Sequence, residues 1–318
     1  MALNVKEIGS FHIGGGPVTL SGLPPRRLEL TQGMGVRDFP QDGDFETGQM
    51  YAQYIRLEAP RAKHPLLMWH GGGMTGATWE TKPDGAPGWQ SRFLHAGHDV
   101  FVSDAVERGR AGWSRFLEVY PEEPHFRSKR ESWSLFRFGP PGSYSTRTGW
   151  PDGLFPLGHF DQLAKQVVPR WACNDALTQA AYDALVRKVG PSVVMTHSQS
   201  GAFGFNAALN APDLVRAVVT VEPSGAPDPD VVDVVRVRAV PHLLILGDHI
   251  EDDPFWQVIV VRVRRYLEAI RTAGGTADII DLPAVGISGN SHFPMMDRNS
   301  DHVAELVQDW MRRQGLMR

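Results

Sequence analysis

Residues 193–201 read Val-Val-Met-Thr-His-Ser-Gln-Ser-Gly, an apolar, β-branched run that breaks into small residues before a helix-like segment. A strand that turns sharply into a helix can lift a hydroxyl clear of the backbone, provided that the residues two positions before and after it are small. Thr196 and Ser200 occupy those positions around Ser198. The N-terminus of the following helix favours negative charge at that point. The pattern predicts a serine nucleophile at Ser198, with both glycines of the usual Gly-x-Ser-x-Gly pattern replaced.

Ser200 is a second candidate nucleophile, because Ser198 and Ala202 flank it with small residues as well. The β-branched run stops at Thr196, so the turn is expected to centre two residues later, at Ser198. Ser200 would then lie in the first turn of the helix, where a small residue is sterically required. Ser198 is therefore the preferred nucleophile.

Composition limits the class of protein. The chain has 318 residues, of which 42% are hydrophobic, and this suits one large α/β core with an insertion. A formal net charge of −4 gives no reason to expect nucleic acid or a membrane as a partner. Cys173 is the only cysteine, so no intrachain disulfide can form. With no visible signal segment and no membrane-spanning apolar run, we expect a soluble protein, either cytoplasmic or the mature form of a secreted or periplasmic one.

The pattern of predicted secondary structure changes near residue 65. Residues 1–57 are expected to form short strands with Gly/Pro turns such as Gly14-Gly15-Gly16-Pro17. After residue 65 short apolar strands alternate with helical segments, which is typical of a parallel sheet covered on both faces. Strands are predicted at 65–69, 99–103, 192–196, 217–221, 242–246 and 277–281, and helices near 88–97, 174–188, 199–210, 255–273 and 301–313. The pattern predicts an α/β fold with a mostly parallel, doubly wound sheet.

Residues 105–172 interrupt this alternation with a segment rich in aromatic residues, proline, glycine and arginine. Such long loops are usually functional or disordered, and aromatic richness argues against disorder. We interpret the segment as a cap over the carboxyl ends of the strands, where open α/β sheets bind their ligands. The alternative is a structural loop that packs its own small core. The predicted organisation is thus a core of residues 1–104 and 173–318 with a cap of residues 105–172.

Acyl transfer by serine also needs a base, an acid that orients the base, and donors for the oxyanion. His292 lies in a loop of small residues between the last predicted strand and the last predicted helix, so its imidazole could reach over the sheet edge to Ser198. His302 falls inside the final helical pattern. The side chain of His197 is expected to diverge from the neighbouring hydroxyl. His292 is therefore the predicted base.

A glycine turn follows the first core strand at His70-Gly71-Gly72-Gly73. Glycines let backbone N–H groups face a ligand without a Cβ in the way. Such a turn can supply one oxyanion donor, and the residue after the nucleophile supplies the other. We assign these donors to Gly72, with Gly71 as its neighbour, and to Gln199. Taken without the serine motif, the turn would be an ordinary glycine turn.

Two carboxylates compete for the role of the acid. Glu222 ends a predicted central strand, where a buried carboxylate is costly unless it is paired, and it lies at the edge where the site is expected. Asp252 belongs to an acidic loop after the next strand, and acids in such loops are usually solvated or cap a helix. Glu222 is favoured, and Asp252 remains the alternative.

Together these motifs resemble those of the α/β-hydrolase superfamily. The turn at 70–73 is similar to its oxyanion turn, and residues 197–201 are similar to its His-Ser-Gln-Gly-Gly elbow. Residues 104–114 resemble its Asp-x-x-Gly-x-Gly-x-Ser stretch. The resemblance covers residues 60–315 outside the insertion and implies the α/β-hydrolase fold. The chain is most similar to a group of bacterial carboxylesterases with a glutamate after the sixth strand as the acid, which implies that role for Glu222.

The chain departs from that group in its elbow and in its oxyanion turn. Both elbow glycines are replaced, and Gly72-Gly73 stands where the group has an adjacent cysteine pair. No disulfide-dependent property is therefore carried over. Some members of the group form dimers, so the resemblance makes a homodimer an expectation for this chain.

These inferences predict a serine carboxylesterase that acts on a small-molecule ester through an acyl-enzyme. Amide, lactone or peptide cleavage on the same triad is one alternative, and non-catalytic binding of a small molecule is another. No phosphate loop, metal-ligand spacing or Rossmann glycine pattern appears, so we predict no cofactor and no metal. The arginines of the insertion suit an aromatic or acidic ester, or else are solvated surface groups: Arg108, Arg110, Arg115, Arg127 and Arg137.

Overall fold

A computed structural model of the chain describes residues 2–318 and has a mixed, eight-stranded sheet at its centre. The strands of the chain are β1 (Val5–Leu20), β2 (Arg26–Leu28), β3 (Arg37–Phe39), β4 (Gly43–Leu57), β5 (Leu66–Trp69), β6 (Val100–Asp104), β7 (Ser192–His197), β8 (Val215–Val221), β9 (His242–Leu246) and β10 (Ala277–Asp281). The strand order of the large sheet is β1-β4-β6-β5-β7-β8-β9-β10, while β2 and β3 pair separately.

The helices alternate with these strands, as expected for a doubly wound sheet. They are α1 (Ala77–Glu80), α2 (Trp89–His95), α3 (Lys129–Leu135), α4 (Phe160–Ala164), α5 (Asp175–Val189), α6 (Ser200–Asn210), α7 (Pro254–Thr272) and α8 (Ser300–Arg313). No helix within residues 2–318 is both long enough and apolar enough to cross a bilayer.

The predicted α/β architecture is confirmed. All six predicted core strands and all five predicted helices are present, with ends that differ from the predictions by a few residues at most. Across the part of the sheet ordered β6-β5-β7-β8-β9-β10, neighbouring strands run parallel. Their carboxyl ends therefore meet at one edge of the sheet. Strands β5, β6, β7 and β9 are buried along their whole length. This explains their continuous apolar runs, because helices cover both faces of the sheet.

The prediction of short N-terminal strands is wrong for β1 and β4, whereas β2 and β3 have only three residues each. β1 and β4 contain 16 and 15 residues and pair antiparallel along nearly their full length. The glycines at 14–16 do not end a strand, since Gly15 has a φ of 70° inside β1 and Gly48 has a φ of 73° opposite it. A Cβ at Gly15 would lie 2.2 Å from the Thr47 carbonyl oxygen. The glycines therefore allow two long strands to stay paired through a local irregularity, and Pro17 is tolerated because β1 is an edge strand.

Each face of the sheet carries its own hydrophobic cluster. One cluster joins strand residues such as Met68 to Trp310 of α8, and the other joins Trp69 to α5, α6 and α7. Aromatic residues of the insertion belong to the first cluster together with Phe293: Trp133, Phe136, Phe138, Phe155 and Phe160. The segment 105–172 therefore packs on the core of the sheet, next to the loop that carries His292, and does not form a separate core.

Candidate active site

Ser198 occupies the sharp turn between β7 and α6, at the carboxyl edge of the sheet. Its φ is 55°, in the left-handed region that non-glycine residues rarely adopt. Backbone hydrogen bonds hold this conformation: the Ser198 N–H donates to the Val221 carbonyl at 3.1 Å, and the Ser198 carbonyl accepts from Ser224 at 2.9 Å. The turn predicted from residues 193–201 is thus present. It rests on β8 and on the loop that follows β8.

The small residues around the turn are required by close packing. A Cβ at Gly201 would lie 2.4 Å from Pro223 Cβ. The buried hydroxyl of Ser200 lies 2.8 Å from the Trp69 carbonyl oxygen and accepts a hydrogen bond from the His197 N–H at 3.0 Å. Ser200 therefore lies in the first turn of α6 and fastens the turn to β5, while the half-buried Ser198 has its side chain outside this backbone network.

The structure brings His292 and Glu222 together. His292 Nδ1 lies 3.0 Å from Glu222 Oε2, and both side chains are buried. The second carboxylate oxygen of Glu222 accepts a hydrogen bond from the Gly247 N–H. The other imidazole nitrogen, His292 Nε2, is buried without a hydrogen-bond partner among residues 2–318. The ring thus has one nitrogen held by an acid and the other available for a proton.

Asp252, the alternative acid, does not contact His292. Its carboxylate lies 3.3 Å from His249 Nδ1, and its side chain is 53% exposed. Its neighbour Asp253 caps α7, because Asp253 Oδ1 accepts a hydrogen bond from the Phe255 N–H at 2.9 Å. The acidic loop after β9 therefore has the solvated and helix-capping roles that such loops usually have.

Arg137 of the insertion pairs with Glu222. Its Nη2 lies 2.9 Å from Glu222 Oε2, and its Nε donates to the Asp248 carbonyl at 2.8 Å. The guanidinium also lies over the Trp256 ring, 5.2 Å from the ring centre. The sequence predicts a substrate contact or a solvated surface group at Arg137. The structure corrects both interpretations, because the side chain is buried against the carboxylate.

Burial and two nearby arginines lower the pKa of His292 and keep it neutral, whereas Arg137 and His292 lower the pKa of Glu222 and keep it ionised. Burial alone would raise the pKa of Glu222, but the positive charge of Arg137 and the hydrogen bond from His292 outweigh it and lower this pKa to about 2. Burial lowers the pKa of His292 to about 4, although Glu222 opposes this shift. The charges of Arg137 and Arg127 lower the His292 pKa further. At neutral pH the imidazole can therefore accept a proton.

The glycine turn after β5 lies directly against Ser198 and Gln199. A Cβ at Gly71 would lie 3.0 Å from Ser198 Cβ, and one at Gly72 would lie 3.0 Å from Gln199 Oε1. The predicted oxyanion residues Gly71, Gly72 and Gln199 are thus neighbours of the serine. Because glycine has no Cβ, Gly71 can approach Ser198 this closely.

His70 orients this turn, a role that sequence analysis did not assign. Its Nε2 accepts a hydrogen bond from the Ala105 N–H at 3.0 Å, so the proton is on Nδ1, which donates to the Gly71 carbonyl at 2.8 Å. A trans peptide is planar, and its C=O and N–H point in opposite directions. By holding the Gly71 carbonyl, His70 fixes the direction of the Gly72 N–H.

The remaining histidines near the motif have supporting or surface positions. His197 is buried and its Nε2 lies 2.8 Å from the His292 carbonyl oxygen, so it supports the loop that carries the base. His302 is exposed on α8, as the helical pattern predicts.

One group within residues 2–318 has the side chains to hold a metal ion: Asp152, Asp248 and His249 offer ligand atoms that lie within 4.8 Å of one another. Both carboxylate oxygens of Asp248 already accept backbone hydrogen bonds, from His249 at 2.7 Å and from Gly289 at 2.8 Å. The group includes none of the predicted triad residues, and its hydrogen bonds hold the loop after β9.

Comparison with known proteins identifies the family. No family model matches the chain. A solved bacterial esterase, described as "a Novel Bacterial Esterase", shares 33% sequence identity with a TM-score of 0.85, and the match covers 99% of this chain and 98% of the esterase. The probable secreted lipase phiG of Fungal sp. (strain ATCC 74256) is 25% identical, over 86% of this chain and 88% of the lipase. The chain therefore belongs to the esterases of the α/β-hydrolase fold and is a carboxylic ester hydrolase.

Proposed function

We propose that the chain hydrolyses small-molecule carboxylic esters through an acyl-enzyme on Ser198. His292 is the general base, and Glu222 orients it. The observation that carries this proposal is the 3.0 Å contact between His292 Nδ1 and Glu222 Oε2, with Nε2 left unpartnered within residues 2–318. This is the arrangement that a base needs if one nitrogen is to be fixed while the other takes a proton.

In the first half of the reaction, His292 Nε2 takes the proton of Ser198 Oγ as that oxygen attacks the ester carbonyl carbon. The carbonyl oxygen becomes an oxyanion, which accepts hydrogen bonds from the N–H groups of Gly72 and Gln199. Each donor of this kind contributes about 3 kcal/mol to stabilisation of the transition state. The protonated imidazole then gives its proton to the departing alkoxide oxygen, and the alcohol leaves.

In the second half, a water molecule attacks the acyl-enzyme. His292 takes one proton from the water and returns it to Ser198 Oγ as the carbon–oxygen bond to the serine breaks. The carboxylic acid product leaves, and the enzyme regains its starting protonation state. Glu222 stays ionised throughout and stabilises the positive charge that forms on the imidazole.

We also propose that residues 105–172 form the cap over this site. Two contacts support this role. The Phe136 ring stacks on the His292 ring with 5.4 Å between ring centres, and Arg127 Nη1 donates to the Gly72 carbonyl at 3.1 Å. The insertion thus reaches both the proposed base and the proposed oxyanion turn. The homodimer implied by the resemblance remains a prediction, which light scattering of the purified protein would test.

The triad assignment is tested by combining turnover with covalent labelling. Ser198→Ala should abolish hydrolysis of p-nitrophenyl butyrate and labelling by a fluorophosphonate probe, with an unchanged circular dichroism spectrum. Ser200→Ala is the matched control, because it removes the neighbouring hydroxyl and should still be labelled. Labelling or turnover that persists in Ser198→Ala contradicts the proposal. An amide analogue of the same substrate, tested in parallel, separates esterase from amidase activity.

A further inference from the structure

Two arginines of the insertion flank the oxyanion turn. Arg127 Nη1 donates to the Gly72 carbonyl at 3.1 Å. A Cβ at Gly72 would lie 3.1 Å from Arg170 Nη1, and one at Gly73 would lie 3.3 Å from Arg127 Nη1. Both guanidinium groups are therefore immediate neighbours of the backbone that faces Ser198.

The charge of Arg170 has no direct partner in the described chain. Arg127 is paired with Glu131 at 3.0 Å, whereas Arg170 forms no ion pair within residues 2–318. Arg170 Nε is buried without a hydrogen-bond partner among the same residues. Burial lowers the pKa of Arg170, and the charge of Arg127 lowers it further, against the opposing effect of Asp175. A half-buried cation without a partner is unfavourable, and an anion bound beside it removes that cost.

Asp175 does not neutralise Arg170 by direct contact. Its carboxylate accepts a hydrogen bond from Gln199 Nε2 at 3.1 Å. Asp175 therefore holds the side chain of the proposed second oxyanion residue. Asp175 and Glu107 act on Arg170 only through space, so Arg170 is the guanidinium at the turn without an ion pair within residues 2–318.

Most of the insertion's arginines that the sequence offers as substrate contacts already have partners. Arg108 contacts Glu107 at 3.0 Å, and Arg110 contacts Asp104 at 2.7 Å. Arg115 is exposed and bonded to Gln41. With Arg137 bound to Glu222, Arg127 is the one member of the original set that contacts the oxyanion turn. Arg170, near the end of the insertion, was not in that set.

We propose that Arg170, assisted by Arg127, binds a carboxylate carried by the ester substrate a few bonds from the scissile carbonyl. This inference rests on the triad proposed above and names the substrate class for the same site, namely esters with a second, anionic carboxylate. The carboxylate could belong to the acyl group, as in a half-ester of a dicarboxylic acid, or to the alcohol. Binding it gives Arg170 the charged partner that the protein itself does not provide.

The test compares charged and neutral esters of matched size. Mono-p-nitrophenyl glutarate is paired with p-nitrophenyl pentanoate for the acyl side, and 4-acetoxybenzoate is paired with its methyl ester for the alcohol side. Rates with Ser198→Ala are subtracted, because half-esters also hydrolyse spontaneously. For the wild-type protein, kcat/KM should favour the charged member of one pair by about tenfold or more, the size expected for a charge-assisted hydrogen bond.

Arg170→Gln should lower that charged-to-neutral ratio by about tenfold or more, and Arg170→Lys should restore part of it, because a point charge replaces a bidentate donor. Arg115→Gln is the matched control, since it removes one positive charge from the same insertion at an exposed position, and it should leave the ratio unchanged.

A binding measurement does not depend on the variant folding. Glutarate should inhibit pentanoate ester hydrolysis by the wild-type protein about tenfold more strongly than neutral glutaramide does. The carboxylate site is wrong if the wild-type protein hydrolyses neutral esters through Ser198 but the charged-to-neutral kcat/KM ratio stays near one in both ester pairs. It is also wrong if Arg170→Gln leaves the ratio of the preferred pair unchanged. In either case the proposed triad stands. If Ser198→Ala still hydrolyses neutral esters, the proposed function itself fails.

Discussion

Arg137 and Glu222 form an ion pair of 2.9 Å in which both side chains are buried. The arginine comes from the insertion, and the glutamate follows the central strand β8. The same carboxylate oxygen that meets the guanidinium also contacts His292 Nδ1. The insertion therefore contributes a charge to the proposed triad, and this charge helps to keep the acid ionised and the base neutral.

Arg137→Met should reduce kcat and move the acid limb of the kcat/KM profile to higher pH. Removal of the positive charge takes away an effect that lowers the pKa of both Glu222 and His292. It also leaves a buried carboxylate without its partner, which costs about 3–5 kcal/mol in the free energy of unfolding. Chemical denaturation and a pH–rate profile measure the two effects.

The control for Arg137 is Arg147→Met, which removes an exposed pair with Asp161 in the same insertion. Exposed pairs contribute about 0–1 kcal/mol, so this change should leave both measurements nearly unaffected. Equal effects of the two substitutions would show that the charge at Arg137 does not act on the triad.

Glu222→Gln should lower kcat by a factor on the order of 10³–10⁴ with little change in KM, because an amide cannot stabilise the imidazolium or select the same tautomer. Asp252→Asn should leave kcat within about twofold, since its side chain is 53% exposed and its carboxylate contacts His249. Steady-state kinetics with one neutral ester compares the kcat values of Glu222→Gln and Asp252→Asn. A larger loss of kcat in Asp252→Asn would exchange the roles of the two acids.

The pH dependence of kcat/KM should show an acid limb near pH 4 and no further loss between pH 6 and 8. His292 must be neutral to accept a proton, and burial lowers its pKa to about 4. Activity is therefore present above this pH and falls as the ring becomes protonated below it. An acid limb at pH 6.5 or above, measured with a substrate that does not titrate, would contradict the environment described for this ring.

Folding stability should also depend on the protonation of His292. In the unfolded chain its pKa is near 6.5, while in the folded protein it is about 4. Because the folded pKa is the lower one, the unfolded state binds more protons in this window, and stability falls as pH decreases from about 6.5 to 4. Urea denaturation at several pH values should show this loss, and His292→Gln should reduce it. An identical pH slope in the variant would assign the loss to other groups.

Gly71→Ala should lower kcat by about 10²–10³, the cost of losing one oxyanion donor. The added Cβ would lie 2.9 Å from His197 Nδ1 and 3.0 Å from Ser198 Cβ, so the turn must shift away from the serine. Gly158→Ala is the matched control, because nothing lies within 4 Å of its added Cβ. Equal kcat in the two variants would show that the turn does not need its present position.

The core and most of the proposed site could be predicted from the sequence for local physical reasons. Strands buried on both faces must be continuously apolar, and a strand-to-helix turn needs small residues at fixed spacing, so residues 193–201 were recognisable without tertiary information. Glu222 could be placed because a carboxylate at the end of a central strand requires a partner. These are constraints that act within a few residues of the chain.

Features that depend on the path of a long segment could not be predicted. The partner of Arg137 and the position of Arg170 depend on how residues 105–172 fold back over the sheet, and no local periodicity encodes that path. The glycines at 14–16 do not form the predicted turn for a different reason. A left-handed glycine serves equally in a turn and in an irregular strand pair, and only the opposite Gly48 distinguishes the two.

The buried contact between the insertion and β8 has a consequence for engineering. Excision of residues 105–172 to obtain a smaller, more open enzyme would remove the counter-ion of Glu222 along with the covering aromatic rings. The shortened protein would keep Ser198 and His292, yet Glu222 would lose the buried cation that pairs with it, and His292 would lose the Phe136 ring stacked on it. Substrate scope in this scaffold is better widened by replacing individual side chains of the insertion than by deleting it.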